Sequence, residues 1–145
     1  SYRTGRVKRT LVKPSFNQVH PSLKDEAELV ADNIHALALG MEKALIEHGK
    51  AIIERQFLQE RMANAAIDIY LATAVLSRVT SVIGRVGEKE AAADLEVARF
   101  FIPMAMRRTR RAIRALERNA DDAARSIATR ALATGDLTVP TPTDT

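Results

Sequence analysis

Apolar residues return at helical spacing along most of the chain, and most persistently between Gly49 and Gly84. That stretch contains neither glycine nor proline in its interior. Ile52, Ile53, Phe57, Met62, Ala66, Ile69, Ala72, Leu76, Val79 and Ile83 form its apolar stripe. The spacing predicts one long amphipathic helix over about 52–83. The other helices are expected to pack against it.

Pro21 and Ser22 open a first helix, about 22–48. Ser22 is its expected cap, Asp25 stands where a capping residue is answered, and Glu26 suits the positive helix start. Its core stripe reads Val30, Ile34, Leu37, Met41, Ala44, Leu45 and His48, and Gly49 ends it. Gly40 lies on the less apolar side, where it either permits close helix approach or is merely tolerated. Gly84 and Gly87 bracket a short turn before a third helix, about 88–118, with Glu88, Glu90 and Asp94 at its start. Leu95, Ala98, Ile102, Met106, Ile113 and Leu116 are its core stripe. Pro103 removes a backbone hydrogen bond and is expected to kink or divide this helix near Phe101 and Ile102.

Asn119 reads as the cap of a fourth helix, about 119–134, with Asp121 and Asp122 in its first turn. Ile127, Ala131 and Leu132 give it a modest apolar face, and Gly135 closes it. Residues 1–21 form a basic arm or linker carrying Arg3, Arg6, Lys8, Arg9 and Lys13. Residues 136–145, with Pro140 and Pro142, are expected to form a disordered tail. The predicted fold is all-α, an antiparallel four-helix bundle over 22–135.

Composition agrees. A chain of 145 residues that is 46% apolar can build one domain with its own core. It has no cysteine, hence no disulfide, reactive thiol or thiolate metal site. No uninterrupted apolar run approaches the ~18 residues that would span a membrane, and no secretory signal is visible. These features fit an intracellular protein, in a bacterial cytoplasm or a mitochondrial matrix. The net charge of +4 is too mild to point to nucleic acid.

Two separated motifs carry a resemblance. The run HGKAIIERQFLQERMANAAIDIYLATAVLSR and the earlier VHPSL at Val19 to Leu23 resemble the C-terminal domain of acyl-CoA dehydrogenases of the very-long-chain type. They resemble equally the paralogue that serves respiratory complex I assembly. The likeness is good from about Gln18 to Gly84 and loose elsewhere. It implies a helical bundle attached to an FAD-dependent enzyme of fatty acid β-oxidation, with flavin and catalytic Glu upstream.

The wider family's catalytic C-terminal domains carry R-x-x-F-G-x-x-[IL], then a Gln, then A-D-M-A. Gly49, Ile52, Gln56 and Met62-Ala63-Asn64-Ala65 echo that pattern, but Leu45 stands at the Arg position and His48 at the Phe position. The family's Arg helps hold the flavin pyrophosphate, so the resemblance implies a duplicated copy that has lost flavin binding. The Y-E-G-T-like loop of the family's catalytic Glu has no counterpart in this chain.

Other chemistry is sparse. His20, His35 and His48 are the histidines, and none follows a Glu by three positions, as a di-metal bundle requires; His35 after Asp32 comes nearest. His48 reads as a packed or helix-terminal residue, or as the remnant of a ligand-contacting position. Asn33 and Asn64 are expected at helix seams, fixing register through hydrogen bonds. Asp68, beside Tyr70, reads as a helix–helix polar contact. The strongest charge feature is Arg107, Arg108, Arg110, Arg111, Arg114 and Arg118. At about 100° per residue, Arg107, Arg111, Arg114 and Arg118 line one face opposite Ile102, Met106, Ile113 and Leu116. That face is either a solvated surface or a docking surface for acidic lipid or another subunit. Aromatics and a groove-reading motif for nucleic acid are missing.

The expectation is therefore a non-catalytic domain with no cofactor, metal or catalytic residue of its own. Its expected partners are the upstream catalytic domains of the same chain, a second subunit in a homodimer, and a membrane surface touched peripherally, with no nucleic acid. The alternative is a stand-alone helical scaffold or adaptor that docks through the basic helix face.

Overall fold

The structure, a computed structural model, describes residues 13–49, 51, 55–117 and 120–135. In chain order they form a 3-10 turn at Pro21–Leu23, then α1 (Lys24–His48), α2 (Gln56–Val86), α3 (Ala92–Glu117) and α4 (Ala120–Thr134). The described residues contain no strand, so the all-α expectation holds. The first three helices share the core: α2 packs most extensively on α3, and α1 lies against both.

The ends of the helices differ from the sequence pattern for local reasons. Ser22 does not cap α1. It sits inside the 3-10 turn, its backbone N–H donating to His20 Nδ1 at 3.2 Å and its hydroxyl donating to Glu88 Oε1 at 2.6 Å. The residue before α1 is Leu23, which has no side chain to cap with. Ser22 and Glu88 thus tie the start of α1 to the turn between α2 and α3. Helix α2 passes through Gly84 and stops at Gly87, whose φ of 84° and N–H to Ile83 C=O bond of 2.8 Å make the helix C-terminus. A left-handed φ is strained for any residue with a Cβ, which is why this glycine and not Gly84 ends the helix.

Residues 88–91 are a turn, and α3 begins at Ala92, so Glu88 and Glu90 precede the helix and Asp94 alone lies in its first turn. Pro103 does not divide α3, which is continuous across it. The expected Ile52, Ile53, Arg118 and Asn119 lie outside the described residues, as do the arm at 1–12 and the tail at 136–145.

The core consists of two apolar clusters. The larger gathers Leu23, Ala27 and Val30 from the first segment, Ala72, Leu76, Val79 and Ile83 from α2, and Leu95, Ala98, Ile102, Ala105 and Met106 from α3. Phe16 and Val19 of the preceding strap close over it. The smaller holds Leu37, Ala44, Leu58, Ala65 and Leu116, with Met62, Ile69 and Ile113 half-buried against it.

Several stripe residues are displaced. Phe57, Ala66, Met41 and Leu45 face outward, while Leu58, Ala65, Gly40 and Ala44 face inward. On α2 the cause is a helix apolar on both sides, so the stripe can be drawn one position off. On α1 the cause is close packing: a Cβ on Gly40 would meet Ile113 Cγ2 at 3.5 Å and Leu116 Cδ1 at 3.7 Å. Small residues at 40 and 44 let α3 approach there, and the bulkier Met41 and Leu45 rotate away.

Between the clusters lies a polar level. Asn33 falls between Val30 and Leu37, and Thr109 between Met106 and Ala112; both are buried. The Asn33 amide donates to Leu29 C=O at 2.8 Å, within its own helix, so it does not bridge the seam as expected. Asn64 is exposed. The described part of α4 does not join the core, and Ile127 and Leu132 stand 67% and 78% exposed.

By length and composition α2 could cross a membrane, contrary to the expectation from uninterrupted apolar runs. Its inward face nonetheless carries the centre of the core, with Ala72, Leu76, Val79 and Ile83 packed on α1 and α3.

Candidate functional site

Helix α3 presents opposite chemistries on opposite sides. Ile102, Ala105 and Met106 are buried. Arg107, Arg110, Arg111 and Arg114 are exposed, as the helical wheel predicts for Arg107, Arg111 and Arg114. No carboxylate of the described residues lies within ion-pair distance of Arg107, Arg111 or Arg114. The acidic residues that begin the helix, Asp94 and Glu96, are about three turns or more away.

Arg108 is different. One step around the helix from Arg107, it reaches α2 and grips Asp68 with both arms of the guanidinium: Nε to Oδ2 at 3.1 Å and Nη2 to Oδ1 at 2.8 Å. The two-point geometry is the strong form of a charge-assisted hydrogen bond. Hydrogen bonding to Asp68, and then its charge, hold the Arg108 pKa above its ordinary value. Asp68 is thus the helix–helix contact that the sequence suggested, and Arg108 is structural. Arg99 makes a second clasp, donating through Nη2 to Ser22 C=O at 3.0 Å, with Glu26 at 3.9 Å from Nε. The cationic helix therefore uses Arg99 and Arg108, both still half open to solvent, to clasp neighbouring elements, and leaves Arg107, Arg111 and Arg114 facing outward.

The arm's last cation is also engaged. Lys13 Nζ lies 2.6 Å from Asp32 Oδ1 and 3.8 Å from Glu28 Oε1, which pins the strap at 13–20 to α1. The Asp32 hydrogen bond is the main cause that raises the Lys13 pKa. The strap is also tied to α2 by the His20 N–H donating to Thr80 Oγ1 at 3.2 Å.

The positions that echo flavin binding do not fit a flavin pyrophosphate. Leu45, at the place of the family's Arg, is an alkyl side chain pointing 53% exposed into solvent. Gly49 has no side chain, Gln56 is exposed, and His48 is half-buried at the end of α1. The set lacks the cation that would answer two phosphates. His20 accepts a local backbone bond and His35 is half-buried on α1. The described residues contain no group of three or more His, Cys, Asp or Glu able to hold a metal.

The pairing of residues 68 and 108 and the strap contact of Lys13 could not be read from sequence, because each joins residues distant in the chain. The polar level at Asn33 and Thr109 had a signal, a polar residue interrupting each apolar stripe, but Thr109 was hidden among arginines.

Comparison with known proteins places this architecture. The family model described as ACAD9/ACADV, C-terminal domain, matches residues 21–137. The mitochondrial very long-chain specific acyl-CoA dehydrogenases of Macaca fascicularis and Homo sapiens are each 42% identical over 62 residues. The Mus musculus protein is 40% identical over the same length. These alignments cover 43% of this chain and 10% of each relative. The matched part thus spans about a tenth of the length of those curated relatives.

Proposed function

The chain belongs to the ACAD9/ACADV C-terminal domain family, and from that premise we propose that it is the non-catalytic helical domain of an FAD-dependent acyl-CoA dehydrogenase. The observation that carries the reading is the family match across 21–137, which takes in all three core helices. In this reading the domain braces the catalytic part of its own polypeptide, supports a homodimer and helps seat the enzyme at a membrane. Flavin and the catalytic carboxylate belong to the upstream part. Acyl-CoA dehydrogenation needs a base positioned at the α-carbon. Of the carboxylates that the structure positions, Asp68, Asp32, Glu28 and Glu26 are engaged by Arg108, Lys13 and Arg99, and Glu88 by the Ser22 hydroxyl. The relatives' printed names, which include the word mitochondrial, support a place in mitochondria, and fatty acid β-oxidation goes with the reading as an acyl-CoA dehydrogenase.

The second reading, a stand-alone adaptor, is favoured by one feature, the unanswered row of Arg107, Arg111 and Arg114. The mass of the native polypeptide separates the two. An antibody to this domain should detect a protein several times larger than the 16.0 kDa of this chain. A native species of about that mass, free of any dehydrogenase, would establish the adaptor instead.

A further inference from the structure

Helix α2 has a second apolar face, and it points away from the core. Only 22% of its most apolar 18-residue stretch is buried within the domain. Ile67, Tyr70 and Leu71 are 55%, 72% and 42% exposed, and Ala63, Ala66 and Ala74 are exposed beside them. At about 100° per residue these six fall on the side opposite Ala65, Ala72, Leu76 and Val79. The outward faces of α1 and α3 are mixed. Helix α1 shows Glu28, Asp32, Glu42, Lys43 and Glu47 beside exposed Leu39, Leu45 and Ile46, and α3 shows its arginines along from Val97 and Phe100; what sets α2 apart is the lack of charge. Between Arg61 and Arg78 the sole ionisable charge on α2 is Asp68, and Arg108 holds it. A helix apolar on both sides is the signature of one that is covered on both sides.

We propose that this strip of α2, from Ala63 to Ala74, is the seat on which the rest of the chain's own polypeptide docks. The inference rests on the reading of the chain as one domain of a longer enzyme, and names the face that the enzyme uses. Size argues for a tethered partner. The strip is about 17 Å long and about 10 Å wide, which gives a few hundred Å² of accessible area. Free proteins need about 800 Å² from each side to associate stably. Domains of one chain make do with about 600 Å² in total, because the tether keeps the local concentration near the millimolar range. A second copy of this chain would have to bind through too small a patch. Charge gives lipid less support. The ionisable groups at the ends of the strip are Glu60 and Arg61 at one and Arg78 at the other, and Glu60 lies on the strip's side of the helix, where an anionic membrane would favour cations alone along the rim. The small side chains at 63, 66 and 74 allow a helix to approach closely, and Tyr70 supplies the large, rigid side chain common at the centre of interfaces.

The test uses the full-length enzyme with Ile67→Glu and Leu71→Glu together, and as a control Ser126→Glu with Thr129→Glu, two exposed positions on α4. Limited proteolysis is followed at the junction between this domain and the preceding one, and amide exchange at Ala72, Leu76, Ile102 and Met106 reports whether the bundle is intact. The expected result is junction cleavage at least tenfold faster in the α2 variant, with core exchange unchanged. Tyr70→Ala, which adds no charge, should give a smaller acceleration in the same direction. Unchanged cleavage in the α2 variant, with the bundle intact, overturns the proposal. Two outcomes assign the strip to another occupant and also overturn it: concentration-dependent dimerisation of the 145-residue chain that the α2 variant abolishes, and flotation with vesicles of phosphatidylcholine and cardiolipin that it abolishes. Failure of the domain reading itself shows separately, as a native protein no larger than this chain.

Discussion

Thr109→Val examines the polar level at the middle of the bundle. Thr109 is wholly buried, and its Oγ1 has no hydrogen-bond partner among the described residues. Valine has nearly the same shape and the same branching at Cβ, so neither the cavity nor the χ1 restriction in the helix changes appreciably. What changes is the removal of a hydroxyl that lost its water on folding. A buried polar group left without a partner costs about 1–3 kcal/mol. Thr109→Val should therefore raise the stability by about 1 kcal/mol, the lower end of that range, because a hydroxyl can rotate to share a helix carbonyl. For a chain of this length that corresponds to a rise in the unfolding midpoint of about 3 °C. Urea unfolding followed by circular dichroism measures it, and the slope of the transition should stay the same. Thr109→Ser keeps the hydroxyl, loses a methyl group and should lose about 1 kcal/mol. A loss of 1 kcal/mol or more in Thr109→Val would refute the reasoning. It would mean that the hydroxyl is satisfied and that the polar level holds the helices together.

Three further outcomes follow from local geometry. Gly84→Ala should add about 0.5–1 kcal/mol, since the residue lies inside α2 with open space around a new Cβ, whereas Gly87→Ala should lose about 1 kcal/mol or more at φ 84°; chemical denaturation of the two variants checks the contrast. Changing Arg107, Arg111 and Arg114 together to Glu should leave the thermal midpoint of this chain unchanged or slightly raised, because exposed pairs contribute only about 0–1 kcal/mol and like charges are relieved. In the full-length protein the same change should weaken assembly or liposome binding, more so at low salt. Because the Lys13 pKa is raised on folding, its contact with Asp32 stabilises the strap at and below the ordinary lysine pKa and is lost as pH rises through the raised value. Amide exchange at Phe16 and Val19, corrected for intrinsic rate, should therefore accelerate in strongly alkaline solution, and Lys13→Met should remove that dependence.

The fold was readable wherever a helix is apolar on one side only. The α3 stripe of Leu95, Ala98, Ile102, Met106 and Leu116 is buried as its spacing requires, and the arginines opposite it are outside. Helix α2 misled by one position at Phe57 and Ala66 because its two sides are equally apolar. That ambiguity was itself the sign of a second apolar face. The ends of α2 and α3 moved because a left-handed glycine is chosen by backbone conformation, and Gly84 and Gly87 look alike in sequence. Ser22 was lost as a cap to Glu88, a partner 66 positions away that no local pattern reveals. At the site, Leu45 in place of Arg was visible from sequence, while the division of the arginines into clasps and free cations needed the positions of Asp68 and Ser22.

In the proposed reading this domain contributes structure and the upstream part contributes chemistry. Flavin content measures that most directly. The full-length enzyme and the 145-residue chain are purified side by side, and each is assayed for bound FAD and for dye reduction with a long-chain acyl-CoA. The account predicts FAD and acyl-CoA-dependent reduction in the full-length protein and neither in this chain, even after incubation with excess FAD. A yellow chromophore that stays with this chain, or dye reduction by it with any acyl-CoA, would contradict the account.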